Sequence, residues 1–177
     1  MKLLEILQNK KNKILSIWID RTLDDYISPG FFKKSLDHIA NPVGSNIRDG
    51  LTAVFELLVQ GEALEKFVQP LDKIIRIRAV QDFAPSQAVA PFLELKWVIR
   101  QVLSEDEKTK SLMQDMDSID CEIERIALAA FDIYVNCRED IYKVRIKEVK
   151  SGNYILTDGT CMSAHFRKKQ DSSQKIN

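Results

Sequence analysis

Ile74-Ile75-Arg76-Ile77-Arg78-Ala79-Val80-Gln81-Asp82-Phe83-Ala84-Pro85-Ser86-Gln87-Ala88 runs an apolar helical stripe into a short break and out into a new helix. Leu71, Ile74, Ile75, Ile77 and Val80 return at helical spacing, and Pro70 can start the helix that carries them. Ala84-Pro85-Ser86 then opens a second helix, because proline is tolerated in a first turn and not in an interior. The same alternation of stripe and punctuation extends in both directions and predicts an all-α chain.

Upstream, Leu3, Leu4, Ile6, Leu7, Ile14, Leu15, Trp18 and Leu23 predict one helix over about 2–26. Ser28-Pro29 reads as a cap and first turn for a short helix carrying Phe31, Phe32, Leu36 and Ile39. Asn41-Pro42-Val43-Gly44 breaks the pattern, and Pro42 biases Asn41 away from helical backbone. A helix with Ile47, Leu51, Val54, Phe55 and Leu58 follows and stops at Gly61. Leu64, Phe67 and Val68 make a weaker segment before Pro70.

Downstream, Val89, Phe92, Leu93, Leu95, Trp97, Val98 and Val102 continue the helix opened at Pro85. Pro91 in its interior should kink it or mark its true start. Ser104 and Glu107 have capping-box spacing, from which the longest element should begin. Its stripe, from Leu112 through Ile126 to Val144, lasts over four heptads and predicts a helix of about 35–40 residues. One small core cannot cover such a helix, so part of it is expected to pack against another subunit. Ser151-Gly152-Asn153 should end it, Tyr154–Thr157 could form a strand, and Asp158-Gly159 a turn. Residues 1–150 thus read as one helical domain and 151–177 as a tail, polar and disordered from Arg167.

Composition removes several functions. Lysine plus arginine equals aspartate plus glutamate, 26 against 26, which argues against a nucleic-acid or anionic-membrane binder. No apolar run approaches the ~18 residues of a membrane span, and the N-terminus is not a signal peptide, so a cytoplasmic protein is expected. Cys121 and Cys137 sit on one predicted helix, ~24 Å apart at 1.5 Å per residue, too far for a disulfide. Haem needs an axial ligand; His38 and His165 leave residues 39–164 without a histidine, and nothing in the sequence supports ligation by a cysteine or methionine instead. There is no Cys-x-x-Cys or His-x-x-x-His, no glycine-rich phosphate loop, and no histidine near Ser86 in sequence. Ser86 reads as a helix-start hydrogen bond. No enzyme, metal or cofactor is expected.

The candidate site is the opening block itself. Asp72 with Arg76, and Arg78 with Asp82, are i,i+4 pairs, so the arginines can be neutralised in their own helix. On that reading they hold the helix ends and the Pro85 turn. On the other, Arg76, Arg78 and Gln81 line a pocket for an anion or a partner carboxylate, which the planar guanidinium suits.

Arg76–Ala88, with Asn41-Pro42-Val43-Gly44, the helix ending near Gly61, and Lys96, resembles the N-terminal domain of the RsbRD-type RsbT co-antagonist proteins over about residues 10–140. The resemblance implies a dimeric, globin-like helical bundle without haem, used as a sensory or regulatory module, with a switch kinase, RsbT, in its partner logic. Family members usually lead from the long helix into a STAS domain. The 25 residues after Gly152 are too few for one, which implies a stand-alone member. Similar stand-alone members occur beside sulfite-reduction and electron-transfer genes. That implies a second role, as an accessory protein with a sulfur-metabolism partner, in which Cys161 of the tail could dock or react.

Overall fold

The computed structural model describes residues 2–34, 39–81 and 83–151. They are helical throughout: α1 (Lys2–Asn9), α2 (Lys11–Asp24), α3 (Pro29–Lys34), α4 (Pro42–Gln60), α5 (Val68–Val80), α6 (Pro85–Ser104), α7 (Glu107–Lys110) and α8 (Asp117–Ser151), with 3-10 turns at Leu64–Phe67 and Ser111–Asp115. No strand occurs among the described residues, so the all-α expectation holds. The expected strand at Tyr154–Thr157, the turn at Asp158-Gly159, His38, Asp82, Cys161 and His165 lie outside the described residues.

The chain divides into two compact units, 1–138 and 139–177. In the first, α4 packs on α5, and α2 packs on both α4 and α6. Trp18, Ile47, Leu51, Phe55, Ile74, Ile75, Phe92 and Val98 meet in one core, which α8 joins through Ile119, Ile123, Ile126 and Ala130. Described residues 139–151 of the second unit are helical and carry Tyr142, Val144, Ile146 and Val149 exposed.

Local chemistry explains the boundaries. Asn41 caps α4: its side chain accepts from the Gly44 N–H at 2.9 Å, and Pro42 follows at the first helical position. Gly61 ends α4 in the left-handed region at φ 68°, the backbone glycine adopts without a steric penalty. At Gly44 the constraint is space. A Cβ there would stand 2.3 Å from Asn41 Nδ2 and 2.8 Å from the Phe32 carbonyl.

Several expected boundaries move. The first helix is two, broken at Lys10 (φ −95°, ψ 7°), inside a polar run with no apolar residue to hold one axis against the core. Lys11 and Lys13 of that run pair instead with Glu56 and Glu105. The helix expected from Pro70 begins at Val68, carried forward by the preceding 3-10 turn. Ser104 does not cap the following helix. It is the last residue of α6, its hydroxyl donating back to the Gln101 carbonyl, and Asp106 is the cap, accepting from Lys108 N–H. Thr109 Oγ1 donates to the Leu103 carbonyl at 2.7 Å and folds the chain over, so α8 starts at Asp117. Ile39, expected in the second helix, lies in an exposed turn, and that helix is described only to Lys34.

Gly44→Ala should destabilise the protein by about 1–3 kcal/mol, because the backbone of the α3 segment must retreat from the added methyl. A urea titration of the variant beside wild type measures it; equal midpoints would show that the cap has slack.

Candidate functional site

Pro91 lies inside α6 and has no N–H, so the carbonyl of Gln87, four residues earlier, loses its ordinary helical donor. The donor that takes its place is Arg78 of α5, whose Nη2 lies 2.8 Å from the Gln87 oxygen and 2.6 Å from Asp25 Oδ2 at the end of α2. Arg78 is fully buried (0% exposed), whereas the Asp25 side chain is 42% exposed. The guanidinium carbon stands 4.3 Å from the Phe83 ring centre and 5.5 Å from that of Tyr26, contacts that favour a cation over an aromatic face. Burying a charge this completely is tolerable only with a partner and hydrogen bonds, and Asp25 and Gln87 supply them at Nη2 alone. Among the described residues, Arg78 Nε and Nη1 and the Tyr26 hydroxyl are buried with no hydrogen bond of good geometry, although the phenol oxygen lies close enough to the guanidinium to feel a weak one.

Above this cluster opens a pocket of about 770 Å³ lined by Asp25, Tyr26, Phe31, Phe32, Gln81 and Phe83 among others. Its aromatic wall is held by edge contacts, with Tyr26 5.2 Å from both Phe32 and Phe83 between ring centres. Burial, the largest effect, raises the Tyr26 pKa above 10.0, although the neighbouring Arg78 charge pulls it down, so the phenol stays protonated at neutral pH.

The sequence placed Arg76, Arg78 and Gln81 together. Gln81 lines the pocket and Arg78 lies beneath it. Arg76 sits on the exposed side of α5, bonded to Asp72 at 2.6 Å as the i,i+4 spacing expected. Residues two apart on a helix point about 200° from each other, whereas Arg78 and Gln81 are about 60° apart. That geometry is in the sequence and separates Arg76 from the other two. Asp25, Tyr26 and Gln87 were not identified from sequence: Asp25 lies 53 residues before Arg78, and no local spacing signals the pair. The helix-start bond expected of Ser86 belongs to Gln87, whose side chain accepts from Ala84 N–H at 2.9 Å.

A second, apolar groove runs between α6 and α8, lined by Pro85, Val89, Leu93, Ala127, Leu128 and Phe131 among others. Leu93, Leu128 and Phe131 are each at least 43% exposed. Cys121 is exposed and Cys137 buried, both on α8. Among the described residues no group of three or more His, Cys, Asp or Glu side chains could hold a metal ion, and no helix is long and apolar enough to cross a membrane.

Two outcomes test this geometry. Arg78→Met should cost about 3 kcal/mol, and about 1 kcal/mol less in a Pro91→Ala background, where the backbone N–H introduced at position 91 takes over the Gln87 carbonyl. Denaturation of the four proteins of that cycle measures the coupling, and strict additivity would dissolve the proposed exchange of donors. Tyr26 gives a pH signature. The folded state holds the phenol proton more tightly than the unfolded chain, so this contribution is complete below pH 10.0 and is lost as pH rises through the higher folded value. Tyr26→Phe should therefore lose less stability than wild type on the alkaline side, read from melting temperatures across that range.

Comparison with known proteins adds a family. An uncharacterized protein of Archaeoglobus fulgidus is 27% identical over 140 residues, covering 78% of this chain and 83% of that protein. No solved structure matches the chain. The model of the RsbT co-antagonist protein rsbRD N-terminal domain matches residues 13–149, and the chain belongs to that family.

Proposed function

We propose that residues 1–150 form a non-catalytic regulatory domain that works as a homodimer and changes the position of a helix when a small ligand or a partner protein binds. Membership of a regulatory domain family gives the class. The observation that carries the dimer is the apolar groove between α6 and α8. Leu128, Phe131 and Val135 repeat at helical spacing on α8 and are exposed. In the sequence Leu128, Val135, Tyr142 and Val149 fall seven residues apart, the repeat with which one helix seats against another. A second copy of the chain supplies a matching helix by symmetry, since a two-fold interface sets one patch against itself.

Within this reading Arg78 and Gln81 serve the ligand pocket. Arg76, on the outer face of α5, is a candidate contact for a partner carboxylate. A switch kinase of the RsbT kind is the partner class that the family description favours. This reading puts its work in the cytoplasm, where such a kinase would meet it.

Light scattering of the purified protein should give twice the chain mass at micromolar concentration. Leu128→Glu should give a monomer with unchanged helical circular dichroism, because a charge is buried in the seam and nothing in the core is touched. A wild-type monomer across the same range would remove the dimer.

A further inference from the structure

The Arg78 cluster is unfinished in a way that specifies what would finish it. Asp25 engages the guanidinium with one oxygen at one nitrogen, Nη2. A guanidinium meets a carboxylate best through two parallel N–H···O bonds, and here Nε and Nη1 are both unmet. The Tyr26 hydroxyl, protonated and also unmet, lies beside the same charge. Buried donors without acceptors each cost about 1–3 kcal/mol, and they are rare in folded proteins. The guanidinium nitrogens can only donate, and the phenol can donate as well as accept, so the group that would engage all of them is an acceptor, and the cation among them favours an anionic one. The pocket above is walled by Tyr26, Phe31, Phe32 and Phe83, which suits a flat apolar body and not a bare inorganic ion.

We infer that this pocket binds a small aromatic carboxylate, which replaces the Asp25 carboxylate on Arg78 and lays its ring against the phenylalanine wall. The exchange is of like for like. Arg78 is sealed from solvent and does not itself line the pocket, whereas Asp25, which holds its Nη2, does, so displacing Asp25 is the way in. The ligand acid takes two N–H groups where Asp25 takes one. Asp25 sits at the end of α2 with its side chain 42% exposed, so once released it is solvated at little cost. No charge is created or lost in the interior. A cationic ligand gains little here, because the carboxylate at the pocket edge, that of Asp25, is already paired with Arg78. This inference rests on the ligand-binding part of the reading above and is independent of the dimer.

The test uses the full chain, labelled with 15N, and three probes of one shape: benzoate, benzamide and benzylamine. The Nε–H signal of Arg78, assigned by its loss in Arg78→Lys, is followed during titration. Benzoate should move that signal saturably and raise the melting temperature. Benzamide should bind about tenfold more weakly, and benzylamine should leave the signal in place. Asp25→Asn, a weaker competitor for the guanidinium, should tighten benzoate binding several-fold. Tyr26→Phe, its fold checked by the melting temperature, should weaken it. A benzoate titration that leaves the Arg78 signal unmoved overturns the inference, as does Asp25→Asn weakening the binding. Saturable binding of benzylamine in place of benzoate would sink the carboxylate class and leave a ligand pocket standing. Light scattering on the same samples reads the dimer separately.

Discussion

One missing N–H organises the first unit. Pro91 leaves the part-buried Gln87 carbonyl without its helical donor, and a carbonyl left unmet away from water is costly. Arg78 answers it from the neighbouring helix, but an arginine brings a charge, and the charge calls for Asp25 from the end of α2. Two consecutive helices and a third, distant in sequence, are thereby fixed to one guanidinium. The aromatic faces of Phe83 and Tyr26 close over it. The pocket is what remains between that cover and α3, so it follows from a backbone deficit in α6.

The turn between α5 and α6 is fixed from a second side by α8. Tyr134 donates to the Phe83 carbonyl at 2.5 Å, and Arg138 donates to the Ala79 carbonyl at 3.0 Å. These carbonyls belong to the end of α5 and the turn after it, which have no helical donors of their own. The groove residues Leu128 and Phe131 lie one or two turns before Tyr134 on α8. A displacement of α8 that disturbed those two bonds would act on Phe83, which is also a wall of the pocket. The packing thus contains a short, contiguous route between the apolar groove and the aromatic pocket.

Much of the fold was legible because periodicity and punctuation are local. Gly61, Pro42 and Pro85 mark real ends, and the stripe of α8 gives its length closely. The failures are also local in cause. A break at Lys10 leaves no glycine or proline as a sign, and Ser104 has the spacing of a cap without the position of one. The site was half legible. Arg78 and Gln81 stood out by type, and helical phase alone could have set Arg76 apart. Asp25 and Tyr26 could not be found, because what brings them to Arg78 is the packing of α2 on α6, and one sequence carries no record of which distant residues meet. Pro91 looked like a defect in a helix. Its role is visible only when the donor for the carbonyl it abandons is known.

The two tryptophans occupy opposite environments. Trp18 is fully buried, its indole N–H donating to the Pro91 carbonyl at 2.7 Å, while Trp97 is half exposed beneath the Arg21 guanidinium, 4.4 Å from its ring centre. The protein therefore carries two natural fluorophores with separable emission, one blue and shielded from aqueous quenchers, the other red and accessible to them. The blue one is bonded to the residue whose missing N–H sets up the site, so the colour of its light is a built-in gauge of the seam between α2 and α6.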